Sequence, residues 1–569
     1  MTSRLRLVVP AALVAACSTA PPPAAAPAPG VPDARVVVPA SATVAEITAS
    51  DLERRLSAYA HDSMLGREAG TLGNVKATDY IAAELARLGV EPAGENGTYF
   101  QTIPLGQRMA DTTAVLSVGR AVLALGRDYL PLPYYGGMLP FGMDGSLAGA
   151  AAIYGGRLGD PAGGLTVEQW RGRLVVLLSP ASPINAQQVI AQSPSTYEGA
   201  AGVAFALLDF IPPAQQEFLR APSDAMGFDL PSGPLGMLVT QRTAAALLGA
   251  APDTLPVGYV GNTIDSSFRF VVRPIAHPAR NVIGIVRGDD PALRHQYVAI
   301  GAHSDHVGTG TPVDHDSLWA HNQVVRPLGA DSPGRPATPE ERTRIRAILD
   351  SLRALRPPRP DSIFNGADDD GSGTVAVLEV AEALMRAQQK PRRSVLLVWH
   401  TAEEKGLYGA RHFTEHPTVP RDSIVAQINI DMVGRGAARD LPEGGPGYLQ
   451  IIGSRRLSTE LGDLVETVNT RGGHGFAFDY QYDADGHPQN FYCRSDHYEY
   501  ARWGIPIVFF STGSHQDYHQ LTDEPQFIDY DKLARFGRFA LDLVQTVANQ
   551  DHRLVVDKPK PDPQGVCRQ

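Results

Sequence analysis

The chain of 569 residues is poor in cysteine, with only Cys17, Cys493 and Cys567. A metal site built on thiolates is therefore not expected. Positive charge is also short. The net charge is −11 and the isoelectric point about 5.8, which argues against a nucleic-acid binder, whose usual footprint is a basic face. After the N-terminal segment no apolar run is long enough to cross a membrane. The zinc-protease helix motif HExxH is missing. No GxSxG elbow accompanies Ser495-Asp496-His497, so that triplet is not read as a serine-hydrolase triad. No lysine follows the Gly-Ser-Gly at 371–373, so a phosphate loop is discounted. Between residues 130 and 270 there is no histidine, which places any histidine-based site elsewhere.

What is present points to an exported protein of several domains. Its length exceeds one ordinary domain, and 43% hydrophobic residues suffice for sizeable cores. Arg4 and Arg6 precede a short apolar stretch, Leu7 to Ala16, of signal-peptide size. Val14-Ala15-Ala16-Cys17 resembles a bacterial lipobox with cleavage before Cys17. This predicts a lipid anchor at Cys17, and Ser18 rather than Asp after it favours an outer-membrane lipoprotein. An ordinary signal peptide and a periplasmic protein are the plainer alternative. Residues 17–44, rich in Ala and Pro, read as an extended tether. Cys493 and Cys567 could pair or remain free thiols.

Two helices should open the folded part. SDLERRLSAYAHD carries a capping-box pattern in Ser50 and Glu53, and VKATDYIAAELARLGV stops at Gly89. From about residue 280 strands alternate with helices. The strands are Asn281–Val286, Tyr297–Ala302, Ser394–Trp399, Val425–Ile430 and Ile505–Phe510. This pattern implies an α/β fold with a mostly parallel mixed sheet flanked by helices. The Gly- and Pro-rich stretch between reads as an inserted, smaller α/β domain. In a long excursion, 308–363, the stretch RPLGADSPGRPATPEERTRIRAILDSLRALRPPRP should hold one helix flanked by Pro-rich coil. It either shapes a rim over the site or is a plain surface loop.

Five separated segments bear metal-binding side chains, several just past an apolar run. They are IGAHSDHVG (His303, Asp305), NGADDDGSG (Asp368, Asp369, Asp370), WHTAEEKGL (Glu403, Glu404), NIDMVG (Asp431) and QDYHQLTDE (His519). Imidazoles and carboxylates suit zinc, and sites in such sheets form beyond the carboxyl ends of the strands. A carboxylate from the Asp triplet can bridge two metals, while Glu403 and Glu404 can divide the roles of base and ligand. His306, His400 and His515 are expected around the site rather than on the metal.

These five segments, in this order, resemble the M28 family of metallopeptidases. The stretches RGRLVVLLSP and EGAAGVAFAL resemble, more loosely, a protease-associated (PA) domain. The resemblance implies a discontinuous catalytic domain over 45–130 and 275–550 and a PA-like insert over 131–274; the sequence itself reads as a signal peptide over 1–16 and a polar tail over 551–569. It implies two Zn2+ per chain, one held by His303, Asp369 and Asp431 and the other by Asp369, Glu404 and His519. Asp305 would accept a hydrogen bond from the His303 imidazole. Glu403 would be the general base for a metal-bound hydroxide, and Tyr518 an oxyanion donor. The implied activity is that of an exopeptidase, foremost an aminopeptidase acting on peptides. A carboxypeptidase or dipeptidase would be favoured by a cluster of Arg435, Arg439 or Arg494 at the site. One-zinc glutaminyl cyclase chemistry and a non-catalytic receptor-like protein are the remaining alternatives. Oligomeric state is not readable.

Overall fold

The computed structural model describes residues 43–132, 141–159, 164–180, 186–227 and 229–569. The lipobox and nearly all of the tether lie outside them. Contacts divide the described chain into two units, Pro104–Ile275 and residues 43–103 with Ala276–Gln569.

The second unit is organised on a nine-stranded sheet. Its middle is parallel: Ser394–His400, Tyr297–His303, Ile424–Ile430 and Ile507–Ser511 lie side by side. Antiparallel Ala279–Val286 and Tyr448–Ile452 flank them. These strands read as unbroken apolar runs because both faces are buried. In Ser394–His400, for instance, Val395, Leu397 and Trp399 enter one core and Leu396 and Val398 the other. Helices Ala49–Tyr59, Leu72–Leu88, Gly373–Arg386 and Tyr530–Ala548 cover the first face. In the last of these, Leu533, Phe536, Ala540, Leu543, Val544 and Val547 form the buried stripe at helical spacing.

One expectation needs correction here. The first helix is capped by Thr48, whose side chain accepts from Asp51 N–H at 3.1 Å, two residues before the expected Ser50. The stretch 326–360 of the excursion holds one α-helix, Pro339–Arg353, as expected; a further helix, His315–Val325, precedes it, and both lie between paired strands Thr309–Asp314 and Pro360–Ile363. The polar tail, residues 551–569, is anchored. Cys567 is disulfide-bonded to Cys493, Leu554 is buried, and the Gln569 side chain accepts from Tyr492 N–H and donates to Tyr482 O.

The first unit is also α/β. Four parallel strands, Ala151–Arg157, Leu174–Leu178, Gly202–Ala206 and Leu235–Val239, form the middle of an eight-stranded sheet with a core on each face. It begins at 104 rather than at the expected 131. The reason is long-range pairing: Leu105–Ala110 lies between Ser223–Met226 and Phe270–Pro274. Composition carries no sign of that pairing.

Candidate metal centre

The candidate residues meet at the carboxyl ends of the four parallel strands. His303 is the last residue of its strand. Its backbone is fixed by Asp370, which accepts from His303 N–H at 3.0 Å, and by Thr374 Oγ1, which donates to its carbonyl at 2.9 Å. Asp431 follows the Ile424–Ile430 strand directly. Glu403 and Glu404 stand in the turn after Ser394–His400, and His519 in the loop after Ile507–Ser511. The Asp triplet lies in the buried turn Ala367–Ser372 that opens helix Gly373–Arg386.

Two groups of ligand atoms result, each gathered within 4.8 Å, and both contain Asp369. In the first, His303 Nε2 is 3.1 Å from Asp369 Oδ1 and 3.6 Å from Asp431 Oδ1. In the second, His519 Nε2 is 2.9 Å from both Asp369 Oδ2 and Glu404 Oε2. The triplet's ambiguity is thereby resolved. Asp370 braces the backbone of His303, Gly373 and Met432, and Asp368 accepts from Gly434 N–H. Only Asp369 faces both groups.

His306 lies closer than expected. Its Nδ1 is 2.8 Å from Glu404 Oε1 and 3.7 Å from Asp369 Oδ2, which places it in the second group rather than merely near it. Asp305 also differs from expectation. Its main-chain carbonyl, not its carboxylate, faces His303 Nδ1 at 3.1 Å. The carboxylate is 3.8 Å from that nitrogen and accepts from Glu403 N–H at 3.1 Å. Asp305 thus holds the proposed base's backbone while its own carbonyl orients the imidazole. His515 lies behind the site, its Nε2 3.3 Å from Asp368, and His400 deeper still, its Nδ1 3.2 Å from Asp496.

Several residues that complete the site were not among the candidates, although Asp523 lies in the QDYHQLTDE segment itself. Asp523 accepts from the N–H groups of Asp368 and Asp369, fixing the turn that presents the shared carboxylate. Ser495 Oγ donates to Asp431 Oδ2 at 2.8 Å and is itself held by Asn429. Buried Arg67 donates to the carbonyls of Asn365 and Gly366 just before the triplet. Nothing in their spacing distinguishes these residues from ordinary polar ones. Backbone conformation marks the site more clearly. Ala402, Met432 and His519, each at or beside a ligand position, have φ between 52° and 62°. Such left-handed geometry costs non-glycine residues free energy and clusters where function requires it.

The electrostatics suit a cation. Burial pushes Glu403 well above the usual carboxylate range, with Glu404 and Asp431 adding to it against the pull of His303. Burial acts on Glu404 in the same direction, but His519 and His306 outweigh it and lower it to about 2. Burial and the neighbouring charges thus shift the two adjacent glutamates in opposite directions. Asp431 is raised, again first by burial. So many carboxylates in one buried space repel one another unless positive charge lies between them. The imidazole and carboxylate donors match zinc in type, and the His306 Nε2 atom is buried without a partner. The residues present therefore fit a metal centre. A third group, His315, Asp361 and Glu524, lies in and beside the excursion. Arg359 already neutralises its Glu524.

Comparison with known proteins agrees with this chemistry. The profile of Peptidase family M28 matches residues 281–544. Leucine aminopeptidase 1 of Sclerotinia sclerotiorum is 27% identical over 259 residues, 44% of this chain and 59% of that protein. Leupeptin-inactivating enzyme 1 of Streptomyces exfoliatus is 29% identical over 170 residues, 29% of this chain and 33% of that protein. The chain thus spans about a third to three fifths of the length of these two curated relatives. A zinc aminopeptidase from Bacillus subtilis superposes with a TM-score of 0.45 at 16% identity, covering 92% of this chain and all of that one. The stretch that bears both ligand groups, Glu403 and Tyr518 is the one that matches the profile of Peptidase family M28.

Proposed function

We propose that the protein is a zinc-dependent exopeptidase, and specifically an aminopeptidase holding two zinc ions. The observation that carries this reading is the pair of ligand groups sharing Asp369, with Glu403 beside them. His303, Asp369 and Asp431 would hold one ion. Asp369, Glu404 and His519 would hold the other, with His306 in reach. Bound zinc would polarise the peptide carbonyl and acidify water. The chain supplies the rest. Glu403, anchored through its amide to Asp305, takes the proton of the attacking water and returns it to the leaving amine. The Tyr518 hydroxyl, beside the ligand cluster, donates to the oxyanion of the attacked carbonyl.

The aminopeptidase reading is supported by the names of the relatives and by the state of the arginines. A carboxypeptidase needs a cation to receive the substrate carboxylate. Arg435 is buried against Asp440 and Asp517, Arg494 is forked onto Asp331, and Arg439 donates to Phe527 O. The retained ligands and base speak against a receptor-like protein. Export to the cell envelope with a lipid at Cys17 remains part of the proposal. The Cys493–Cys567 bond supports an oxidising compartment. The PA-like reading of 104–275 is supported by its two signature stretches forming adjacent parallel strands.

The test is hydrolysis of leucyl-, lysyl- and glutamyl-anilides beside their N-acetylated forms, with and without a zinc chelator. Chelator-sensitive release from the free-amine substrates alone is expected. No release by a protein shown to carry two zinc ions would refute the aminopeptidase reading.

A further inference from the structure

One charged pair at the site reaches it from outside the five motif segments. Asp331 belongs to the short turn Gly329–Asp331 in the 308–363 excursion. Arg494 meets it as a fork, Nη1 to Oδ2 at 3.1 Å and Nη2 to Oδ1 at 3.2 Å. Ser514 Oγ donates to the same carboxylate at 2.7 Å. Nη2 of Arg494 also donates to the Tyr518 hydroxyl at 3.1 Å. The Tyr518 ring lies stacked on His519, with centroids 4.1 Å apart.

The backbone brings the same two segments together. Ala330 N–H donates to Tyr518 O at 3.0 Å. Gly329 has φ +53°, and a Cβ there would stand 2.4 Å from Tyr518 O and 2.8 Å from His515 O. The turn therefore fits against the loop bearing His519 with no space for a side chain.

We propose that Asp331 is a positioning residue: through the fork to Arg494 it sets where the Tyr518 hydroxyl stands, which makes the excursion a working part of the active site. This rests on the reading of Tyr518 as the oxyanion donor. A bidentate guanidinium–carboxylate pair fixes both orientation and distance, which a single hydrogen bond does not. A phenol held from behind by a donor also keeps its own O–H free to point at the substrate, since its oxygen is already the acceptor. Without Asp331 the guanidinium would regain its rotamers and the phenol its freedom about the ring axis.

The test is a double-mutant cycle on the full, zinc-loaded chain with Asp331→Asn, Tyr518→Phe and both, using leucyl-anilide. Tyr518→Phe should lower kcat about 10²–10³-fold, the scale of one lost oxyanion donor. Asp331→Asn should lower kcat roughly 10–100-fold, the scale of a misplaced group, with KM within about twofold and zinc content unchanged. The double variant should be no slower than Tyr518→Phe alone, and Asp331→Glu should recover part of the loss. Multiplicative effects in the double variant, or an unchanged kcat for Asp331→Asn, would overturn the proposal. Failure of the aminopeptidase reading looks different, because wild type itself would then release no amine. In that event crystal structures of wild type and Asp331→Asn decide the matter. A Tyr518 ring displaced from His519 in the variant upholds the proposal, and an unmoved ring ends it.

Discussion

Both units of this chain are built on four parallel strands inside a mixed sheet, yet among the described residues only one gathers candidate metal ligands at its strand ends. In the second unit the residues at or past those ends are His303, Glu403, Glu404, Asp431 and His519. In the first the residues directly past them are Leu158, Ser179, Leu207 and Thr240, and Thr240 has structural work. Thr240 Oγ1 accepts from Thr243 N–H at 3.0 Å, capping helix Gln241–Leu248, and Asp209 accepts from Gln241 N–H at 2.8 Å. The same architecture therefore offers a crevice in both places. The residues at the strand tips decide whether it becomes a site.

The sharpest way to break this contrast is to empty one strand tip. Glu403→Gln should lower turnover about 10²–10⁴-fold while zinc, measured by elemental analysis, stays bound. Loss of zinc would make Glu403 a ligand instead. Asp369→Ala should release metal from both groups, because each contains that residue. Next comes the covalent difference between the units. Cys493→Ser should lower the stability of the second unit by about 2–4 kcal/mol in denaturant titration. The cysteine-free first unit should keep its own transition. Acid sensitivity follows. Burial lowers His497, stacked 4.6 Å from Phe509, from 6.5 to about 3. A group lowered on folding gives stability that is full above pH 6.5 and is lost as pH falls toward about 3. His497→Phe should flatten that part of the acid-unfolding curve. The smallest effect is Thr240→Ala, about 1 kcal/mol from the first unit by loss of a helix cap, with zinc content unaltered.

Much of the metal centre was legible because acids and histidines past apolar runs are costly as packing. Asp369 was readable to within one residue, and of the triplet it is the one that falls in both candidate groups. His306 was not legible as a group member. Its imidazole reaches Glu404 only because the chain turns beyond the strand, and no spacing rule encodes that turn. Asp331 acts through contacts with residues far away in sequence and lies in a stretch that reads as ordinary loop, while Asp523 lies in the segment of His519 but meets the Asp triplet through contacts that leave no local mark. The polar composition of 551–569 gives no sign that this tail is anchored. Its anchoring depends on one disulfide and on Gln569, neither of which hydropathy reports. The expected boundary at 131 missed the start at 104 for the same reason, since strand pairing over more than a hundred residues leaves no local mark.

The shared position of Asp369 has a mechanical consequence. Its carboxylate ties the tips of the strands ending at His303 and Ile430 to the loops bearing Glu404 and His519. A cation seated there closes several long loops at once, as a cross-link does, but reversibly. Occupied at about a hundred times its dissociation constant, one such ion would add about 2.7 kcal/mol to the folded state. Stripping it with a chelator should loosen the whole sheet edge and lower the melting temperature, so heat resistance becomes a gauge of how well the metal is supplied.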